Sequence, residues 1–254
     1  MAVFSSLYGN RLDRELGAAD STQLFTTARR KAAINEAQEE FARLTNCLER
    51  TSSITITGWT GEYDLNSASV LPGQDFYEFA PRGVVFRYVD ASSNVTALSG
   101  DDLPRRDPLW LDRYEPGWQV STWASTTVMR QLPTVWYERL NGGARYLGFW
   151  PVPSSGSSAA MEALVTYQAR PAPMTSDTNE PFTVNSSVRL DLRPYHQALP
   201  HYAAYQLEKL RRDDMASDRQ LQKFLGYVQQ YLQAARRKGG TALTFARSYF
   251  AGRS

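Results

Sequence analysis

The densest set of groups able to do chemistry lies in one run, LSGDDLPRRDPLWLDRYEPGWQVSTWA, which spans 98–124. It places Asp101, Asp102, Asp107 and Asp112 beside Trp110, Trp118 and Trp123, the mixture of paired carboxylates and aromatic platforms that a glycosidase or a sugar-binding cleft uses. The same run also reads as a solvated loop whose Arg105 and Arg106 are its own counterions, and on that reading it carries no catalysis. His196 and His201 sit beside Pro194 and Pro200 at the start of a helix, where an imidazole caps or covers more often than it takes protons. Cys47 is the single cysteine, so no internal disulfide is possible, and with two histidines no cysteine or histidine metal cage can be drawn. No GxxxxGK[ST] phosphate loop, no GxGxxG after a strand and no GxSxG elbow is present. The expectation is a chain with no catalytic residue, no cofactor and no metal.

The elements that would position these groups fall into three textures. Leu7, Leu12 and Leu16 mark a short first helix ended by Gly17. Asp20, Ser21 and Thr22 offer caps for a second helix running to about Arg50, with Ile34, Ala37, Phe41, Leu44 and Leu48 along one face at steps of three and four. Asn35 interrupts that pattern at the margin of the stripe, where a polar contact at a helix crossing is expected. After Arg50 the chain turns to short β-branched and aromatic bursts, SITITGW, VVFRYVD, VWYERL, RYLGFWPV and EALVTYQARP, separated by turn-formers such as LPGQD, NGG and VPSSGSS. From about residue 52 to 186 this predicts an antiparallel sandwich or small barrel. Helical stripes resume after Arg193, at Tyr202, Tyr205, Leu207 and Leu210 and again from Leu221 to Leu232. RRDDMASD between them is either a loop capped by Ser217 or Asp218 or a polar turn within one long helix. Lys238, Gly239 and Gly240 form a stop. The fold class is therefore α+β: a bundle of N- and C-terminal helices (1–51 and 187–240) with an inserted β domain (52–186) and an extended tail (241–254). In that arrangement the β module projects from one end of the bundle.

Charge is uneven along the chain. Met1 to Arg50 holds seven basic and seven acidic residues, Thr51 to Ser186 nine and fourteen, and Ser187 to Ser254 twelve and five, so the segments carry 0, −5 and +7. A cationic last quarter fits an acidic partner, either nucleic acid or protein, or plain solvated helix faces. No run of about 18 apolar residues exists to cross a bilayer, and the N-terminus has no secretory pattern, which points to synthesis and assembly in a cytoplasm. No aromatic pair interleaved with basic residues marks a sequence-specific RNA or DNA reader. Of the tryptophans, Trp136 and Trp150 lie inside strand-like runs and read as core, whereas Trp110 and Trp118, in loop-like sequence, are interface candidates.

The order of pieces resembles the head-to-tail adaptor (connector) proteins of tailed bacteriophages. The likeness lies in the helix AAINEAQEEFARLT, then TITGWTGEYDL as the entry into the β module, then RYLGFWPVPS followed by ALVTYQARPAPMT, and last the return helix LRPYHQALPHYAAYQLEKLRRDD. Together these touch nearly everything between Phe25 and Gly240. The resemblance implies a structural virion protein at the head-to-tail interface: a homo-oligomeric ring, commonly twelve-fold, docked to the portal protein above and to a tail tube or nozzle protein below. Double-stranded DNA would pass through its lumen with non-specific contacts, and no membrane is involved. In such adaptors a C-terminal extension reaches the portal. Here that segment carries Phe245, Arg247, Tyr249, Phe250 and Arg253, three aromatics with no core of their own that ordering on a partner would explain. Trp110 and Trp118 are the matching candidates on the tail side. A tail completion or stopper protein, and a β-sandwich hydrolase or glycan-binding module using Asp101, Asp102 or Asp107, are the alternatives.

Overall fold

A computed structural model describes residues 3–16, 25–58, 60–89, 94–115, 118, 132–153, 160–184 and 187–237. The chain divides into two compact units, one made of Met1–Leu48 with Arg170–Ser254 and the other of Glu49–Ala169. The first is helical and the second is built on sheets, so the fold is α+β.

The helical unit opens with three short helical pieces: α1 (Phe4–Ser6), a π-helical turn (Leu7–Arg11) and α2 (Leu12–Glu15). Phe4, Leu7, Leu12 and Leu16 are all buried along it. α3 (Thr27–Thr45) starts at Thr26, whose side chain accepts from the Arg29 N–H, and it ends at Asn46, which takes the left-handed conformation (φ 51°). The helix therefore stops short of Arg50, and β1 (Glu49–Thr55) begins within a few residues. Leu48 prolongs the apolar period past the true end, and the αL turn at Asn46 overrides it. The stripe Ile34, Ala37, Phe41, Leu44 and Leu48 is buried throughout.

Its cover comes from the C-terminal helices. A 3₁₀ segment (Leu190–Gln197) containing Pro194 leads into α5 (Ala198–Arg211), and α6 (Asp214–Arg237) follows. The two helices are separate: Arg212 takes φ 61°, and the side chain of Asp213 accepts from the Ala216 N–H at 3.0 Å, so the cap of α6 is Asp213 and neither Ser217 nor Asp218. Ser217 is buried instead and donates to the Tyr205 carbonyl at 3.2 Å. Phe41 meets Phe224 of α6 edge-on at 6.1 Å, with Tyr231 and Tyr195 at 6.0 and 5.9 Å. Such aromatic contacts add about 0.5–1.5 kcal/mol each beyond area burial.

The other unit holds two open four-stranded sheets rather than a closed barrel among the described residues. The first runs β1–β8–β3–β4, all antiparallel, with β3 at Phe76–Val89, β4 at Val95–Leu98 and β8 at Ala160–Ala169. The second runs β2–β7–β6–β5, with β2 at Glu62–Asp64, β5 at Arg105–Arg106, β6 at Val135–Asn141 and β7 at Ala144–Trp150. It is mixed rather than purely antiparallel, because β5 pairs with β6 in parallel. Phe86 of the first sheet and Phe149 of the second lie 5.6 Å apart, both fully buried. β3 runs straight through APRG: the register shifts between Phe79 and Val84, so the proline sits at a bulge where it costs no ladder bond. Gly83 there has φ +29° and admits the Trp136 ring, which a Cβ would meet at 2.7 Å.

Candidate functional site

Asn35 and Gln38 lie three apart on one face of α3 and hold the chain that returns from the sheets. Asn35 donates to the Met174 carbonyl at 3.1 Å and accepts from the Met174 N–H at 2.8 Å, the bonding a neighbouring strand would supply. Gln38 donates to the Ala172 carbonyl at 3.0 Å and accepts from the Phe182 N–H at 3.2 Å. The polar partner of Asn35 is thus an extended segment and not a crossing helix. Asp177 and Asn179 of the same segment reach the N-terminus: Lys31 pairs with Asp177 at 2.9 Å, Tyr8 donates to it at 3.0 Å, and the Phe4 N–H donates to the Asn179 carbonyl at 2.9 Å. The Lys31 ammonium lies 4.8 Å from the Tyr8 ring centroid.

The surface that carries Trp110 is a separate device in the sheet unit. Asp107 caps α4 (Pro108–Tyr114), accepting from the Leu109 N–H at 2.7 Å, and Pro108 takes the first helical position, where it needs no donor. Leu111 is buried, and Leu109 (75% exposed) and Tyr114 (57%) face outward. Trp110 is half-buried, 5.2 Å from the Tyr114 ring, and the Arg106 guanidinium lies 5.1 Å over it. Trp118 lies inside: it is buried, its indole N–H donates to Asp112 at 2.7 Å, and it meets Tyr137 edge-on at 5.0 Å. Trp118, Leu111, Val135 and Tyr137 form a small core under α4, against which Trp110 and Trp150 pack. Trp136 is buried, with Arg105 at 5.3 Å over its ring.

The carboxylates that invited a catalytic reading have local duties: Asp107 is a helix cap, Asp112 holds the indole, and Asp101 and Asp102 are exposed. Of the histidines, His196 is buried against Phe182 at 5.8 Å, and His201 lies 3.0 Å from Gln220 and stacks on Tyr227. Cys47 is buried, and burial pushes its thiol up to about 12, far from a reactive thiolate. Among the described residues, no group of three or more His, Cys, Asp or Glu is placed to hold a metal ion, and no helix is long and apolar enough to cross a membrane. Phe245, Arg247, Tyr249, Phe250 and Arg253 lie outside the described residues, as do Trp59 and Trp123.

Gln38, Asp177 and Asn179 went unread in the sequence. The one local signal was the pair of carboxamides three apart on α3, and its target lies 134 or more positions further along the chain.

These parts make up a braced helical unit and a sheet unit that presents an aromatic helix on its surface. A model of the SU10 adaptor protein family matches residues 4–246, and the chain belongs to that family. It is a bacteriophage adaptor, a structural component of the head-to-tail connection. No curated protein matches the chain.

Proposed function

We propose that copies of this chain close into a ring, twelve-fold as is common in head-to-tail adaptors, that docks beneath the portal protein and carries the tail tube or nozzle protein below. Double-stranded DNA passes through the lumen on ejection. The observation that carries this reading is the family match over residues 4–246, which covers the helical unit and the inserted sheets together. A lumen through which DNA slides calls for weak phosphate contacts, because each neutralised phosphate tightens binding in a salt-dependent way.

The C-terminal segment, with Phe245, Arg247, Tyr249, Phe250 and Arg253, is the portal-binding element. The tail-facing contact is α4, through Leu109, Trp110 and Tyr114, and Trp118 supports it from beneath. Two aromatics and an exposed leucine on one short helix are the kind of anchors that dominate assembly energetics. The protein is made in the host cytoplasm and ends in the virion. Deleting Thr241 to Ser254 tests the assignment: phage carrying the deletion are expected to yield heads that package DNA but lack tails. Normal tail attachment would remove the docking role of that segment.

A further inference from the structure

Several cations of the helical unit are spent on fixed partners: Arg30 on Asp13 at 2.5 Å, Lys31 on Asp177 at 2.9 Å, Arg43 on Glu40 at 2.7 Å and Lys223 on Glu15 at 2.9 Å. Arg11 and Arg14 have no such partner among the described residues. Three positions apart across the junction of the π-helical turn and α2, both line a recess of about 250 Å³ whose other walls are Glu15, Gln197, Pro200 and His201.

The carboxylate in that wall is already neutralised. Glu15 Oε2 lies 2.9 Å from the Lys223 ammonium and 3.3 Å from His201 Nδ1, and the Gln220 amide donates to the Glu15 backbone carbonyl at 3.1 Å. Burial raises the pKa of this carboxyl, but Lys223, His201 and Gln220 together outweigh it, so the group stays ionised below the usual glutamate range. The wall is also stiff. His201 is held by Gln220 at 3.0 Å and stacked on Tyr227 at 5.7 Å, and Tyr227 donates to Gln197 at 3.3 Å. Two arginines therefore line a preformed polar floor, and neither is ion-paired among the described residues. Pre-ordered walls reduce the entropy lost when a ligand enters.

We propose that this recess takes a carboxylate side chain from an acidic segment of a partner protein. Guanidinium groups bind carboxylates through paired, charge-assisted hydrogen bonds, and two of them at one mouth select a planar anion. At about 250 Å³ the recess has room for a carboxylate side chain. Duplex DNA is the poorer match, because its phosphates run in a row along a convex surface and its binders carry a stripe of cations to follow it. Here the charge is concentrated in one concavity that has a carboxylate in its wall. The recess is lined within the helical unit of a single chain, so its binding can be measured separately from ring assembly.

The test is calorimetric titration of the full-length chain with hexaglutamate at low salt, run in parallel with a short DNA duplex. Arg11→Glu with Arg14→Glu is expected to weaken hexaglutamate binding by about tenfold or more. Arg11→Lys with Arg14→Lys keeps the charge but not the fork, and is expected to lose less. Arg236→Glu with Arg237→Glu, an exposed pair at the end of α6, should leave binding within about twofold. If circular dichroism shows the double glutamate variant unfolded, Arg11→Gln with Arg14→Gln carries the same comparison. The proposal is overturned if the Arg11 and Arg14 variants bind hexaglutamate like the parent, if the Arg236 and Arg237 pair matters equally, or if the DNA duplex and not the peptide depends on Arg11 and Arg14.

Discussion

A carboxamide is a side chain that can face an extended backbone as another strand would, donating and accepting in one plane. Asn35 does this to both polar groups of Met174, a residue that is itself buried. Asn35→Ala leaves a backbone N–H and a carbonyl without those partners, so it should cost about 2–3 kcal/mol. Asn35→Asp keeps the acceptor for the Met174 N–H but sets a charge against its carbonyl, and should also destabilise. Urea melts check both, with the midpoint lowered and the slope unchanged. Glu15 makes a second prediction, in pH. Its folded-state pKa lies below the ordinary value, so the stability it contributes is fully present above the ordinary glutamate range and is lost as pH falls through the folded value. Glu15→Gln should flatten that part of the acid limb in pH-dependent melts; an unchanged acid limb would mean that the Lys223 and His201 contacts carry no linkage. At this scale the sequence marked Asn35 as an oddity but could not name its partner, because the partner is backbone 139 positions away and backbone has no residue-type signature.

Elements were legible where one face is apolar and regular. The α3 stripe could be read directly, and so could its need for cover from helices after Arg193, because a one-sided helix must bury its stripe somewhere. Ends were less visible. Asn46 stops α3 by taking φ 51° while Leu48 still keeps the apolar step, and Asp213 caps α6 from within a run that offered several cap-forming residues. The parallel pairing of β5 with β6 had no local mark either, since Arg105 and Arg106 are two exposed residues in a turn-rich stretch. The β6–β7 pair carries the sharpest prediction at this level. A Cβ on Gly148 would lie 2.1 Å from Cζ of Tyr137, whose hydroxyl is anchored on Glu62 and whose ring supports Trp118 under α4. Gly148→Ala must push that ring away, at a cost of about 3 kcal/mol. Thermal melts should show the loss, and near-ultraviolet circular dichroism should show a changed tryptophan environment. A variant as stable as the parent would mean that Tyr137 has room to turn aside and that the core under α4 is looser than described.

At the scale of the whole molecule, two compact units share one chain, which leaves the helical unit at Leu48 and returns at Arg170. The return is secured by Asn35, Gln38, Lys31 and Tyr8, so the segment that closes the helical unit is bonded to the same helix whose stripe the C-terminal helices cover. The order of motifs was readable because each sits on a separate stretch of chain. The surfaces that meet partners were less so, since docking residues follow no period, and the five C-terminal candidates lie outside the described residues. The central claim is that the chain forms the ring between portal and tail. Electron cryomicroscopy of intact virions, with and without an epitope fused to the chain, tests it most directly. The prediction is a closed ring of this fold directly below the portal, the sheet unit toward the tail and the epitope on the ring. Epitope density elsewhere in the particle, or a single copy plugging the channel in place of a ring, would contradict it.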